Sequence, residues 1–217
     1  MGNEGAAGAL AALAALGAFH GINPAMGWLF AVALGMQERR AGVIWRALAA
    51  LTIGHALAIA VAVAVGALAL NVLPGVALRG GVAALLVGLG IARLLRSRHP
   101  RAGGSMRVGF AGLTTWSFLV ASIHGAGLMV LPLVLGSSVG VSAHAGHAAP
   151  ADPASAVISG AAAVGVHTAA YLLVTAVIAW VVYEKLGVAL LRKAWINLDA
   201  IWAAALIVTG AAALFML

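Results

Sequence analysis

The chain has 217 residues, 64% of them hydrophobic and only 8% charged, with a mean hydropathy of +1.12. A water-soluble domain carries about 25% charged residues, so this chain has too little polar surface to cover a core in water and is expected to meet a lipid bilayer. It has a net charge of +7 and no cysteine. These features exclude disulfides and thiolate metal sites, and the basic residues lack the interleaved aromatics of a nucleic-acid partner.

Six apolar runs follow one another at 6–35, 43–70, 76–95, 110–136, 156–183 and 195–217. Lipid offers no water to free backbone groups, so each run is expected to be a helix. The alternating ten-residue segments of a membrane barrel are absent. The first run lacks a basic leader, carries Glu4 and extends past signal-peptide length, so it reads as the first span. The fold expected is therefore an all-α integral membrane protein with six transmembrane helices in one domain, 1–217.

Charge sets the expected orientation. The segments after the first, third and fifth runs hold Arg39, Arg40 and Arg46; Arg93, Arg96, Arg98, Arg101 and Arg107; and Lys185, Arg192 and Lys193. The other loops and the termini hold only Arg79. The positive-inside rule then places these loops in the cytoplasm and both termini outside, in a bacterial-type inner (plasma) membrane.

The halves echo each other. Phe19-His20-Gly21 in the first run matches Ile123-His124-Gly125 in the fourth, and Gly54-His55-Ala56 in the second matches Val166-His167-Thr168 in the fifth. Three spans is an odd number, so the second half enters the membrane from the opposite side. The chain thus reads as two inverted three-helix repeats, 6–95 and 110–217, joined by a basic loop at 96–109. Inverted repeats are common in secondary transporters, whose sites lie near the midplane between them.

His20, His55, His124 and His167 each fall deep inside a run. Ionisable residues there are costly and usually face a cavity, a partner or a substrate path. Neutral imidazole is a common ligand of nickel, cobalt, copper and zinc, so four of them converging on one axis make a candidate metal site. Two facing ones could instead hold a haem iron. In the plainest reading the imidazoles only join helices, with Ser117, Thr52 and Tyr171 as hydrogen-bond partners at helical spacing.

The first run also contains Asn23-Pro24-Ala25-Met26-Gly27. Pro24 has no N–H, so the carbonyl of His20 loses its donor and the helix is expected to kink. Pro132 is expected to do the same in the fourth run. Asn23, Pro24, Met26 and Met129 become candidate lining of a substrate path, the thioethers suiting copper(I). Asp199, near the start of the sixth run, is the one carboxylate placed to join that path or to favour a helix N-terminus. The loop at 137–155 carries His144 and His147, a candidate outer capture pair within an Ala/Gly/Pro-rich segment. No Gly-rich turn is followed by Lys as ATP binding requires.

In its order of features the chain resembles the lysine-exporter superfamily of six-span inverted-repeat transporters, nearest to the nickel/cobalt exporters and related permease-like proteins. That branch carries His-x4-Asp-His in the first span and Gly-His-Ser in the second. His20 matches the first His, and Gly54-His55-Ala56 is similar to the second motif. Ala25-Met26 stands where the branch has Asp-His, and Asn23 stands at a position that is often acidic. The resemblance implies the six-span fold and a role in membrane transport, and leaves the ion open.

Two functions follow from these residues. The first is transport of a transition-metal cation through the four histidines, a transporter rather than an enzyme. The second is a membrane-embedded metal or haem protein, as an enzyme or redox subunit. The Gly/Ala-rich faces permit a homodimer or a place in a larger membrane complex.

Overall fold

The structure, a computed structural model, describes residues 2–95, 109–136, 153–186 and 198–215. These residues are helical apart from short turns, with no strand among them. The helices are α1 (Gly2–Ile22), α2 (Trp28–Glu38), α3 (Ala41–Ala69), α4 (Gly75–Leu95), α5 (Phe110–Ile123), α6 (Ala126–Gly136), α7 (Pro153–Val181) and α8 (Leu198–Phe215). Three helical stretches, Ala41–Ala69, Gly75–Leu95 and Gly160–Lys185, are long and apolar enough to cross a membrane. The pair α5–α6 adds a fourth if its two arms form one span. Ala7–Ile22 and Ala200–Phe215 are shorter apolar helices.

The first and fourth apolar runs are each broken. In the first, Asn23 leaves the helix with extended backbone, and its Oδ1 accepts a hydrogen bond from the Ala25 N–H at 2.9 Å. Pro24–Met26 form one 3₁₀ turn, and Gly27, with φ of 123°, redirects the chain into α2. A side chain would strain that backbone. The expected kink at Pro24 is therefore a complete break. In the fourth run the break is not at Pro132, which sits inside α6. It falls at His124–Gly125, where Gly125 has φ of 75° and the two arms bend by 60°. Proline removes a single hydrogen bond, whereas a positive φ turns the chain itself.

Small residues set which helices meet. α1 runs beside and parallel to α7, with Gly17 against the backbone of His167 and Gly21 against the Tyr171 carbonyl and Thr175. In the same way α5 runs beside α3, with Gly54 against the Thr114 carbonyl and Ser117. Ser117 Oγ donates to the Leu51 carbonyl at 2.6 Å. Gly127 of α6 continues that seam against Ala58 and Ala62. α4 and α8 pair antiparallel, through Gly90 against Ala203 and Ile207, and Gly210 against Ala83 and Leu86. Exchanging the halves of the chain turns the α1–α7 pair into the α5–α3 pair and returns α4–α8 to itself. α3 also packs on α7, and their contact carries the site.

Candidate functional site

Three of the four histidines meet. His20 in the last turn of α1, His55 in the middle of α3 and His167 in α7 are 0%, 1% and 0% exposed. Their ring centroids lie 4.9 Å (His20–His167), 5.5 Å (His20–His55) and 5.5 Å (His55–His167) apart. The His55 and His167 rings are nearly parallel, at 10°, and their Nε2 atoms are hydrogen-bonded at 3.3 Å. Gly17 explains how His20 and His167 come so close: it removes the side chain that would hold α1 away from α7.

Hydrogen bonding fixes the state of His20. Its Nδ1 lies 2.7 Å from the Leu16 carbonyl, four residues back. A carbonyl only accepts, so Nδ1 carries the proton, and in the neutral ring Nε2 keeps its lone pair. That Nε2 has no hydrogen-bond partner. Among the described residues, Thr52 Oγ1 and Thr168 Oγ1 are likewise buried without a partner. An unpaired buried group costs about 1–3 kcal/mol. Such a cost kept at one place marks a candidate site.

Aromatic rings close the cluster. Tyr171 stacks on His55 with centroids 4.1 Å apart and planes at 10°, and its hydroxyl donates to the Met26 carbonyl at 2.8 Å. Trp202 of α8 meets His20 edge-to-face at 4.7 Å and stacks on Phe19 at 5.2 Å.

His124 is placed differently from His20, whose local sequence it echoes. It caps α5 at the break, half-buried, and packs on Trp202 with centroids 5.5 Å apart. The two histidines share one local feature: His124 Nδ1 lies 2.8 Å from the Val120 carbonyl, again four residues back. The four expected rings thus resolve into three in mutual contact and one linked to them through an indole. The hydrogen-bond partners expected along each helix also differ. Ser117 binds the Leu51 carbonyl, Thr52 Oγ1 is unpaired, and Tyr171 serves His55 on another helix instead of His167 on its own.

Asn23 is buried and caps the 3₁₀ turn that Pro24 begins. Met26 and Met129 are buried in one apolar cluster with Tyr171, Trp202 and Leu206. His144 and His147 lie outside the described residues, as does the side chain of Asp199, whose backbone is in the first turn of α8. Trp202 lies in an apolar run with no local motif, and only its neighbours on other helices give it away. Tyr171 has a local signal in its spacing from His167, but that spacing points to the wrong histidine.

An apolar groove of about 430 Å³ between α1, α6 and α8 ends at Phe19, the residue beside His20. A second, of about 500 Å³, lies between α3 and α7 and is lined by Ala60, Val63, Ala64, Gly160, Ala161 and Val164. Neither is lined by a histidine.

The donors can be tested against a metal ion. Among the described residues, no three His, Asp or Glu side chains surround one point as ready-made ligands. Two nitrogens bound to a tetrahedral ion at about 2.0–2.1 Å stand about 3.3 Å apart, which is the His55–His167 spacing, but these two share a hydrogen bond along the N–N line and must turn to aim at an ion beside it. A third ligand requires the His20 ring to turn, and no hydrogen bond at its Nε2 resists that. The same three rings can also pass a proton. No family model, no curated protein and no solved structure matches the chain.

Proposed function

We propose that this protein is a membrane transporter of a transition-metal cation, with His20, His55 and His167 as its transient binding site. The observation that carries the reading is the group of three buried imidazoles from three helices, with an unpaired Nε2 on His20 and a 3.3 Å Nε2 pair beside it. Imidazole nitrogen suits zinc, copper, nickel and cobalt and suits sodium or calcium poorly. The pairing of α1 with α7 and α5 with α3 supports two inverted three-helix repeats in a six-span chain, with the site where the repeats meet. The excess of Arg and Lys after the first, third and fifth runs supports both termini outside an inner membrane. His124, half-buried and next to Trp202, is a station for the cation on its way to or from the centre.

The test is flux into proteoliposomes loaded with a metal-sensitive dye, assayed in turn with zinc, nickel, cobalt and copper(I). Uptake of one of these ions that His20→Ala abolishes is the expected result. Absence of any His20-dependent flux overturns the reading.

A further inference from the structure

Each helix break is tied to the histidine centre by one aromatic donor. At the first break, Tyr171 lays its ring on His55 and donates its hydroxyl to the Met26 carbonyl inside the 3₁₀ turn. At the second, Trp202 sets its ring against His20 and donates Nε1–H to the His124 carbonyl at 2.9 Å. Both side chains are buried, at 0% and 1% exposure. Each offers a single strong donor, and each spends it on a carbonyl at a break. The positions that permit the breaks, Gly27 and Gly125, have positive φ and so can serve as hinges.

The two ties differ in one respect. Matching His167 to His55 places Ile59 as the repeat counterpart of Tyr171, and matching His124 to His20 places Val130 as the counterpart of Met26. Ile59 and Val130 are both buried in one apolar cluster, and Ile59 has no hydroxyl. The Tyr171 bond therefore belongs to the first break alone.

We propose that Tyr171 is a positioning residue that latches the broken first span to the histidine centre, so that occupancy of the centre and geometry of the break change together. The Tyr171 ring and hydroxyl form one rigid unit. A ligand that takes the Nε2 atoms of His55 and His167 replaces their hydrogen bond and turns the His55 ring under Tyr171. The tyrosine can follow only by moving its hydroxyl on the Met26 carbonyl. A residue that merely filled the core would need the ring and not the hydroxyl. The identity of the occupant rests on the metal reading; the latch does not.

The absence of cysteine makes a direct test available. Leu10→Cys on α1 and Met36→Cys on α2 are both exposed and flank the first break. Spin labels at these sites report its geometry by pulsed electron paramagnetic resonance on full-length protein in proteoliposomes, with and without zinc. The otherwise unchanged pair is expected to give one narrow distance distribution. Tyr171→Phe keeps the ring and loses the bond, and should raise the population of a second distance roughly two- to tenfold without zinc, the value of one hydrogen bond. Trp202→Phe, at the other break, should leave this distribution alone. His55→Gln keeps the latch and removes the ring beneath it, so it should keep the distribution found without zinc and lose any response to zinc.

A Tyr171→Phe distribution identical to that of the unchanged pair overturns the latch, whatever zinc does. If Tyr171→Phe fails to fold, the His55→Gln arm decides, and a zinc response that survives in that variant overturns the latch. Zinc that binds by calorimetry yet leaves the unchanged pair as it was overturns the coupling of occupancy to the break; zinc that does not bind counts against the metal reading and leaves the Tyr171→Phe arm to decide the latch.

Discussion

His55 on α3 and His167 on α7 share one hydrogen bond, Nε2 to Nε2 at 3.3 Å, between rings stacked within 10° of parallel. Only one of the two nitrogens can donate, so the pair holds a single bridging proton while both rings are neutral. The bond joins the middle helices of the two halves, and its energy is measurable. A double-mutant cycle of His55→Phe and His167→Phe should show a coupling of about 1 kcal/mol, the scale of interhelical bonds in membrane proteins. Each single change should cost more than half of the double, because it leaves a buried nitrogen unpaired. Reversible unfolding in mixed detergent measures both. Strict additivity would mean that the two rings do not interact.

Acid should weaken metal binding. A proton and a cation compete for the same Nε2 lone pairs, and a charged imidazole repels the cation. Zinc affinity, read by calorimetry on the purified protein, is therefore expected to be lost at the acid end of a titration. The sign is fixed: the protonated centre binds nothing, so binding is lost on the acid side. Affinity that does not fall at any pH where the protein stays folded would place the cation away from the imidazoles.

Glycine substitutions should separate contact from open space. A Cβ at Gly17 runs into the His167 carbonyl, whereas one at Gly165 meets nothing within 4 Å. Gly17→Ala should push α1 from α7 and destabilise by about 1–3 kcal/mol. Gly165→Ala should be neutral or stabilise by up to about 1 kcal/mol, since only the backbone-entropy term changes. Equal responses in detergent unfolding would contradict the α1–α7 seam.

The cap at the first break is separable from the histidines. Asn23→Ala removes the acceptor for the Ala25 N–H and should cost about 1 kcal/mol. Asn23→Asp keeps an acceptor in place and should recover most of that loss in a thermal melt. If the aspartate variant is as unstable as the alanine one, Asn23 acts through its amide and not through this cap.

Much of this was legible in one dimension. The runs at 43–70 and 76–95 match α3 and α4 to within two residues at each end, because continuous apolar stretches in lipid have only the helix available. The break near Pro24 was legible too, since proline lacks the donor and asparagine and glycine supply the turn. The second break was misplaced at Pro132 because a positive φ at Gly125 leaves no mark in composition.

Helical spacing tells which residues share a face of one helix, and the apolar runs by themselves determined that the described residues are helical. Spacing carries no information on how helices rotate and cross. Those choices are made by contacts such as Gly17 on His167 and Gly54 on Ser117, between residues far apart in the chain. Only the tertiary structure therefore decided that three imidazoles meet, that Trp202 stands between His20 and the fourth as their shared neighbour, and that Tyr171 serves a histidine on a different helix.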